Sequence, residues 1–272
     1  MHGHAESGPV NDDTEPVRLP GGNVAPVYRI GDTVRRQTGP WTPAVHALLR
    51  HLERVGFDGA PRVLGIDGDS REILSYLEGF VPYAPHIPSE IWTDDALTRT
   101  AQLIRAYHDA VRSFEPPSNA QWRFCPGAPA QGEIVCHNDI APWNTVYRDG
   151  LPVAFIDWDF AAPAPPMWDL AYAAWRFVPL YYDGIPGCGV QADANECARR
   201  LRLFCDAYGL EDRRGLLDMI LHKQQVMYDT VRIWGEAGIP GFAEMWKTGH
   251  ARAPLLDKAF VSASRDTLES RL

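Results

Sequence analysis

Short apolar runs separated by turn residues fill the first 80 positions of the chain. Residues 26–36 hold two such runs joined by Gly31-Asp32, and residues 61–76 hold two more joined by Gly68-Asp69. Apolar runs joined by a Gly-Asp turn are typical of β-hairpins. The pattern predicts a small antiparallel sheet.

Helical spacing appears between the two hairpins. Thr42-Pro43 predicts a helix start with Thr42 as the N-cap, and Gly56 predicts its end. The apolar residues between them fall on one face: Val45, Leu48, Leu49 and Leu52. We therefore expect one helix to pack with the sheet.

From residue 89 onward the pattern becomes mainly helical, after a Pro-rich segment at 79–88 that predicts a linker. The predicted helices cover residues 89–114, 168–177, 193–208, 211–235 and 240–261. The intervening segments are a Gly/Pro-rich loop at 119–133, a compact β region at 134–160 and a rigid loop at 161–166.

These patterns predict an α+β fold with two lobes. Residues 1–16 contain almost no apolar side chains, which predicts a flexible arm. Residues 17–79 form the predicted sheet-plus-helix N-lobe, and residues 80–272 form a larger, mainly helical C-lobe.

Charge and cysteine content narrow the function classes. The chain has 272 residues with 26 Lys+Arg against 35 Asp+Glu, a formal net charge of −9. Nucleic acids and anionic membranes need clustered positive charge, so the balance argues against both as partners and fits a cationic ligand better.

Five cysteines without a CxxC pair argue against a disulfide framework. The polar start and the absence of a long apolar run lead us to expect a cytoplasmic protein.

Residues 134–159 carry the candidate chemistry. Asp149-Gly150 predicts a two-residue hairpin turn, because both central positions need positive φ. Counting back from the turn places Asn144 opposite Phe155, so Asn144 and Asp157 become diagonal neighbours, roughly 7–8 Å apart. Their side chains are expected to share one ion.

An amide and a carboxylate supply the hard oxygen ligands that Mg²⁺ prefers. Asp139 lies five residues before Asn144, where an acid could accept a proton from a hydroxyl. His137-x-Asp139-x-x-x-x-Asn144, followed by an apolar strand ending at Asp157, matches the phosphoryl-transfer pattern His-Arg-Asp-x-x-x-x-Asn with a downstream metal-binding Asp.

Residues 137–144 and 156–159, with Pro166 and residues 169–171, resemble the aminoglycoside phosphotransferase family, also called the phosphotransferase enzyme family. The resemblance extends less strongly over residues 20–250. It implies a protein-kinase-like fold and transfer of the γ-phosphoryl group of ATP, or GTP, to a hydroxyl of an aminoglycoside-like or other small molecule. Mg²⁺ is the implied metal cofactor.

The resemblance also implies roles for individual residues. Asp139 would be the base or hydroxyl-orienting acid, Asn144 and Asp157 the Mg²⁺ ligands, and His137 a structural brace. Asp159 would either touch metal or substrate or cap the next turn.

The resemblance also implies roles for residues outside the central motif. Asp169 would hold the backbone of the loop rather than take part in chemistry. Gly21-Gly22 would form a phosphate loop in a nucleotide-binding N-lobe. The hinge that contacts adenine would be residues 74–79, with Ser75, Tyr76 and Leu77 against the nucleotide.

Two departures from the family pattern lie in the N-lobe. Relatives place a Lys or Arg on the third strand, paired with a Glu on the following helix. No lysine occurs in the first 222 residues, so Arg36 or Arg35 must serve, and strand alternation favours Arg36. The helix has no Glu at this point, since residues 43–47 read Pro-Ala-Val-His-Ala. A weak or inactive nucleotide-binding or immunity protein is therefore the alternative function.

Other reaction classes fit less well. An Asp-x-Asp after an apolar strand is also typical of metal-dependent phosphohydrolases with a carboxylate nucleophile. Here it lies in the middle of the chain, after the His-x-Asp loop, which argues against that class. No Gly-x-Ser-x-Gly motif is present, which removes the commonest serine hydrolase.

Overall fold

A computed structural model describes residues 15–20, 26–83, 87–182 and 193–272. The N-lobe contains a five-stranded antiparallel sheet in the order β1-β2-β3-β5-β4. Its strands are β1 (Val17–Arg18), β2 (Tyr28–Ile30), β3 (Thr33–Gln37), β4 (Val63–Ile66) and β5 (Arg71–Ser75). Both predicted hairpins are confirmed, and β3 pairs with β5 in the middle of the sheet. Most of the predicted arm and the Gly21-Gly22 turn lie outside the described residues.

The predicted helix is α1 (Thr42–Arg54), and its four predicted apolar residues are all buried. Thr42 was wrongly expected to be the N-cap, a position that Trp41 holds. The Thr42 hydroxyl instead accepts a hydrogen bond from the N–H of Gly39, at 2.9 Å, and closes the preceding turn. Gly56 follows the helix with a positive φ of 78°, as a helix end requires.

The chain passes from the sheet to the C-lobe at Gly79 and Phe80. Gly79 has φ 145°, and a Cβ there would lie 2.6 Å from the carbonyl oxygen of Tyr147. Phe80 and Tyr147 exchange two backbone hydrogen bonds of 2.9 and 2.8 Å. The linker is thereby fixed against a C-lobe strand, and only glycine fits this close approach.

The C-lobe is mainly helical, as predicted. Its helices are α2 (Asp94–Val111), α3 (Pro166–Phe177), α4 (Ala194–Tyr208), α5 (Leu216–Glu236), α6 (Phe242–Lys247), α7 (Arg252–Ala263) and α8 (Arg265–Glu269). The single helix predicted over 240–261 is wrong, because Gly249, with φ 78°, separates α6 from α7. The helix predicted from residue 89 starts with a 3-10 turn, and α2 begins after Thr93, whose side chain accepts from the N–H of Ala96.

Four short strands make up the β region: β6 (Ile134–Cys136), β7 (Thr145–Arg148), β8 (Leu151–Phe155) and β9 (Ala162–Ala164). β7 pairs with β8, and β6 pairs with β9. The segment predicted as a rigid loop over 161–166 is therefore partly a strand. It forms because β6 has backbone groups that need a partner.

The Asp149-Gly150 turn is confirmed, with φ values of 51° and 76°. The predicted register beyond it is wrong by one residue, because a bulge interrupts the β7–β8 pairing between Val146 and Tyr147. Thr145, rather than Asn144, therefore lies opposite Phe155.

One buried core runs from α1 through α2 into the C-lobe helices. Trp158, which separates Asp157 from Asp159, is 2% exposed and packs edge-on against Tyr107 at a ring distance of 5.0 Å. The candidate metal-binding segment is thus attached to the core of the molecule. The predicted two-lobed α+β fold is confirmed, and no described helix is long and apolar enough to cross a membrane.

Candidate active site

Asp169 holds the loop that follows β6. Its two carboxylate oxygens accept from the backbone N–H groups of His137, at 2.8 Å, and Asn138, at 2.6 Å. His108 Nε2 lies 3.2 Å from the same carboxylate. Burial alone would raise the pKa of Asp169, but the hydrogen bonds and the nearby imidazoles hold that pKa below its usual range. The loop-anchoring role expected for Asp169 agrees with these contacts.

His137 connects the loop to the end of β8. Its Nδ1 accepts from the N–H of Asp139, at 3.3 Å, so its Nε2 carries the hydrogen and donates to the Ile156 carbonyl at 3.1 Å. Burial lowers the pKa of His137, which favours this neutral form. These contacts with two backbone segments agree with the bracing role that the resemblance implies for His137, which stays a prediction.

Lys223, on α5, is a residue of this site that the sequence did not reveal. Its Nζ donates to the carbonyl of Asn138 at 3.0 Å and lies over the rings of Trp168 and Tyr172. Asn138 has a positive φ of 68°, a strained conformation for a residue with a Cβ. Burial lowers the pKa of Lys223, against the effect of nearby acidic groups such as Asp139. Nothing in the sequence links α5 to this loop, which lies 85 residues earlier.

Asp139 and Asn144 contact each other directly. Asn144 Nδ2 donates to the backbone carbonyl and to Oδ2 of Asp139, both at 2.9 Å. Burial and the charge of Asp157 raise the pKa of Asp139 to about 7, against the lowering effects of a hydrogen bond from Tyr172 and the charges of Lys223 and Arg176. A carboxyl group with a pKa near neutrality is suited to exchange protons at physiological pH.

Asp157 and Asp159, which follow β8, form a cluster of ion pairs with Arg36 on β3. Arg36 Nη1 donates to Asp157 at 3.0 Å, and Nη2 donates to Asp159. Although burial disfavours the guanidinium charge, these carboxylates and Glu72 hold the pKa of Arg36 above its ordinary value. Burial also raises the pKa of Asp159, against the charge of Arg36. The alternation that favoured Arg36 over Arg35 therefore agrees with the geometry.

Glu72, on β5, is an acidic partner of Arg36 that was not identified from the sequence. It lies directly across from Arg36 in the β3–β5 register, and its Oε1 accepts from Arg36 Nε at 2.8 Å. Its Oε2 lies 2.7 Å from Nε2 of His46, on α1. A strand glutamate, itself bonded to a helix histidine, is therefore the partner of Arg36 in this protein. No spacing along the chain indicates this partner, since pairing of β3 with β5 is a long-range contact.

The predicted hinge residues lie at the end of β5, and part of their polar surface is already used. Ser75 exchanges two hydrogen bonds with the backbone of Arg62, one through its N–H and one through its hydroxyl. The N–H of Tyr76 donates to Asp32, and its ring lies 3.6 Å below the guanidinium of Arg29. Contact of Ser75, Tyr76 and Leu77 with a nucleotide stays a prediction. The Ser75 hydroxyl is bonded to the N–H of Arg62.

Two groups of side chains have donor atoms that suit a metal. Asp157, whose side chain is 46% exposed, and the carbonyl oxygen of Asn144 are hard oxygen donors near the cleft. His108, Cys136 and Asp169 also bring their donor atoms within 4.8 Å of one another. The oxygens of Asp169 already bind the loop backbone, and burial raises the pKa of the Cys136 thiol. The second group is therefore a buried structural cluster.

We expect Asp169→Ala to lower the free energy of unfolding by about 3 kcal/mol, because two buried N–H groups lose their acceptor. The control is Asp109→Ala, which removes a half-exposed ion pair with Arg105 and is expected to cost less than about 1 kcal/mol. Urea unfolding followed by circular dichroism measures both. Similar losses in the two variants would contradict the anchoring role.

Comparison with known proteins agrees with this arrangement. The sequence model of the phosphotransferase enzyme family matches residues 81–204. The trifolitoxin immunity protein of Rhizobium leguminosarum bv. trifolii is 35% identical over 278 residues, which cover 97% of this chain and all of that protein.

Solved structures share the fold at low sequence identity. A putative aminoglycoside phosphotransferase from Ralstonia eutropha superposes with a TM-score of 0.59 at 13% identity, over 96% of this chain and 94% of that one. An aminoglycoside phosphotransferase from Streptomyces rimosus, in complex with ADP and streptomycin, gives 0.54 at 17% identity, over 79% and 94%. A choline/ethanolamine kinase family protein from Mesorhizobium loti gives 0.53 at 16% identity, over 95% and 90%. The kinase-like fold is therefore confirmed, and the chain belongs to the phosphotransferase enzyme family.

Proposed function

We propose that this protein transfers the γ-phosphoryl group of ATP, or GTP, to a hydroxyl group of a small molecule. The observation that carries the proposal is the direct bonding of Asp139 to Asn144 on one side and of Arg36 to Asp157 on the other. The N–H of Ile156, next to Asp157, donates to the carbonyl of Asn144 at 2.9 Å and joins the two pairs. A base, two oxygen donors and a phosphate-binding cation are thereby brought into one region, as phosphoryl transfer requires.

Asp139 is the proposed acceptor of the hydroxyl proton. The acceptor oxygen forms a bond to the γ-phosphorus, the bond from that phosphorus to the β–γ bridging oxygen breaks, and ADP (or GDP, from GTP) leaves. The proton of the hydroxyl passes to Asp139, whose pKa of about 7 suits that exchange. The hydrogen bond from Asn144 keeps the carboxyl group in place.

Asn144 and Asp157 are the proposed Mg²⁺ ligands. Because Asn144 Nδ2 binds Asp139, the amide oxygen of Asn144 remains available as a donor, and Asp157 supplies a carboxylate. When bound, Mg²⁺ would neutralise and orient the nucleotide phosphates. Asp159, bonded to Nη2 of Arg36, is proposed to position Arg36.

Arg36 is the proposed phosphate-binding residue. Its Nε is bound by Glu72, so the two Nη groups point toward Asp157 and Asp159 at the cleft. A guanidinium with one side fixed presents a planar pair of donors, which matches phosphate oxygens. The missing lysine is thus compatible with nucleotide binding.

We expect Arg36→Ala to weaken Mg·ATP binding by about 10- to 100-fold, because a charge-assisted contact with phosphate is lost. Arg35→Ala is expected to change affinity less than about threefold. Arg35 lies on the other face of β3, with Thr33 and Asp67 as neighbours. Calorimetric titration of Mg·ATP into both variants measures the difference, and equal effects would contradict the assignment of Arg36.

A second candidate function is immunity through binding alone, without phosphoryl transfer. The observation that favours it is the likeness to the trifolitoxin immunity protein over nearly the whole chain. Phosphorylation of a toxin and sequestration of a toxin both protect a host, but only phosphorylation needs Asp139.

Two experiments test these functions. Mass spectrometry of a panel of hydroxylated molecules, aminoglycosides included, incubated with Mg·ATP should detect a gain of one phosphoryl group in at least one acceptor. Absence of any product together with no ATP turnover would contradict the phosphotransferase. In a trifolitoxin-sensitive strain, protection by wild type that disappears with Asp139→Asn would support phosphorylation, whereas equal protection would support binding alone.

A further inference from the structure

The side chains beside Asp139 in the C-lobe are aromatic and cationic. Lys223 Nζ, which donates to the carbonyl of Asn138 next to Asp139, lies 4.9 Å from the ring centre of Tyr172, and Arg176 follows Tyr172 one turn later on α3. Arg176 lies over the rings of Trp175, at 3.5 Å, and Trp143, at 5.2 Å. Trp143 belongs to the turn between Asp139 and Asn144, and it is 38% exposed. Trp143 is thus the exposed member of an otherwise largely buried aromatic–arginine cluster beside the loop that carries the proposed base.

Arg176 has no carboxylate partner within salt-bridge distance among the residues that the structure describes. Its Nε is buried and makes no hydrogen bond, while part of the side chain stays exposed. Arginines held flat against aromatic rings present a preorganised fork to carboxylates. No carboxylate of the described residues therefore pairs with the guanidinium at contact distance, although the charges of Asp139 and Asp257 reach it.

The side chains near Asp139 include two cations, Arg176 and Lys223, whereas the protein as a whole has a negative net charge. Arg176 and Lys223 both lie close enough to Asp139 to lower its pKa. The net charge of −9 acts on an approaching molecule at long range, whereas these two cations act on a molecule already in the cleft. The acceptor class should therefore follow the local charges.

We propose that Arg176 and Trp143 form the acceptor subsite, and that the acceptor is a hydroxylated molecule bearing a carboxylate. The carboxylate pairs with Arg176, a flat part of the molecule lies on Trp143, and the hydroxyl reaches Asp139. This inference rests on the proposed phosphotransferase function, and it assigns a specificity-determining role to Arg176.

Binding of three related probes tests the subsite without any phosphoryl transfer. The probes are para-hydroxyphenylacetate, its amide and tyramine, which share a phenol and carry a negative, neutral or positive group. Titration by tryptophan fluorescence should show the anion binding about tenfold more tightly than the amide, with tyramine weakest, as expected for a charge-assisted contact. Equal affinities, absence of binding by all three, or the reverse order would overturn the proposal.

Variants separate recognition from a structural role of Arg176. Arg176→Gln should reduce the preference for the anion to less than about twofold, and Arg176→Lys should keep part of it. Arg202→Gln, a change of an arginine 60% exposed on α4, should leave the preference intact. If Arg176→Gln does not fold, Trp143→Ala provides the test, since it should weaken all three probes by a similar factor.

Measurements of Mg·ATP binding and of the phosphorylated products show whether the acceptor subsite or the phosphotransferase function has failed. Phosphorylation of the acid and the amide at equal rates would overturn the role of Arg176 alone. Tight binding of the anion by a protein that neither binds Mg·ATP nor turns it over would contradict the phosphotransferase alone.

Discussion

Asp139→Asn should lower the rate of phosphoryl transfer by about 10²- to 10⁴-fold, the usual effect of losing a general base. The affinity for Mg·ATP should stay within about twofold, because Asn144 and Asp157 keep their oxygens. The substituted amide is similar in shape, and its oxygen can still accept the hydrogen bond from Asn144 Nδ2. Single-turnover kinetics with the acceptor found by mass spectrometry measures the loss directly.

Asp149→Asn is the matched control for this experiment. It makes the same chemical change ten residues away, in the exposed hairpin turn, where positive φ suits asparagine. Its rate should equal that of wild type. A rate within tenfold of wild type for Asp139→Asn, in a protein that folds normally, would remove Asp139 from the role of base.

The central part of the site could be predicted because its residues are close in sequence. Asp139 and Asn144 lie within one short loop, and the Asp149-Gly150 turn brings β8 back alongside β7. Local spacing was sufficient for these features. The β7–β8 register was predicted wrongly by one residue. A bulge depends on packing around the strand, and no turn residue in the sequence indicates its position.

The N-lobe side of the site could be predicted only in part. Strand alternation, which follows from backbone geometry alone, favoured Arg36, and Arg36 is the arginine that contacts Asp157 and Asp159. Its partner Glu72 comes from β5, and the support of Glu72 comes from His46 on α1. These contacts depend on which strands become neighbours, so spacing along the chain could not identify them.

The same reason explains why Lys223 and Arg176 were not singled out. Each lies on a C-lobe helix whose periodicity indicates burial but not what the helix packs against. Lys223 reaches a carbonyl 85 residues earlier in the chain, and Arg176 meets the ring of Trp143. Such contacts set the electrostatics around Asp139, and only the folded arrangement reveals them.

Asp157→Ala should abolish Mg-dependent nucleotide binding, with a loss above about 100-fold, whereas Asp159→Ala should cost about tenfold. Loss of a metal ligand such as Asp157 costs more than the roughly 10- to 100-fold that is typical when a residue behind a ligand is removed. Asp159 acts on Arg36 rather than on the metal, so its loss should cost less. The side chain of Asp157 is 46% exposed, while that of Asp159, at 21%, is bound by Arg36.

Calorimetric titration of ATP into both variants, with Mg²⁺ and with a chelator, separates these two effects. Asp157→Ala should remove the difference between the two titrations, because the carboxylate acts through the metal. Asp159→Ala should keep that difference and weaken both titrations, since Arg36 loses a partner that directs it into the cleft. The opposite order would make Asp159 the metal ligand, and Asp157, bonded to Nη1 of Arg36, would then be the residue that positions the arginine.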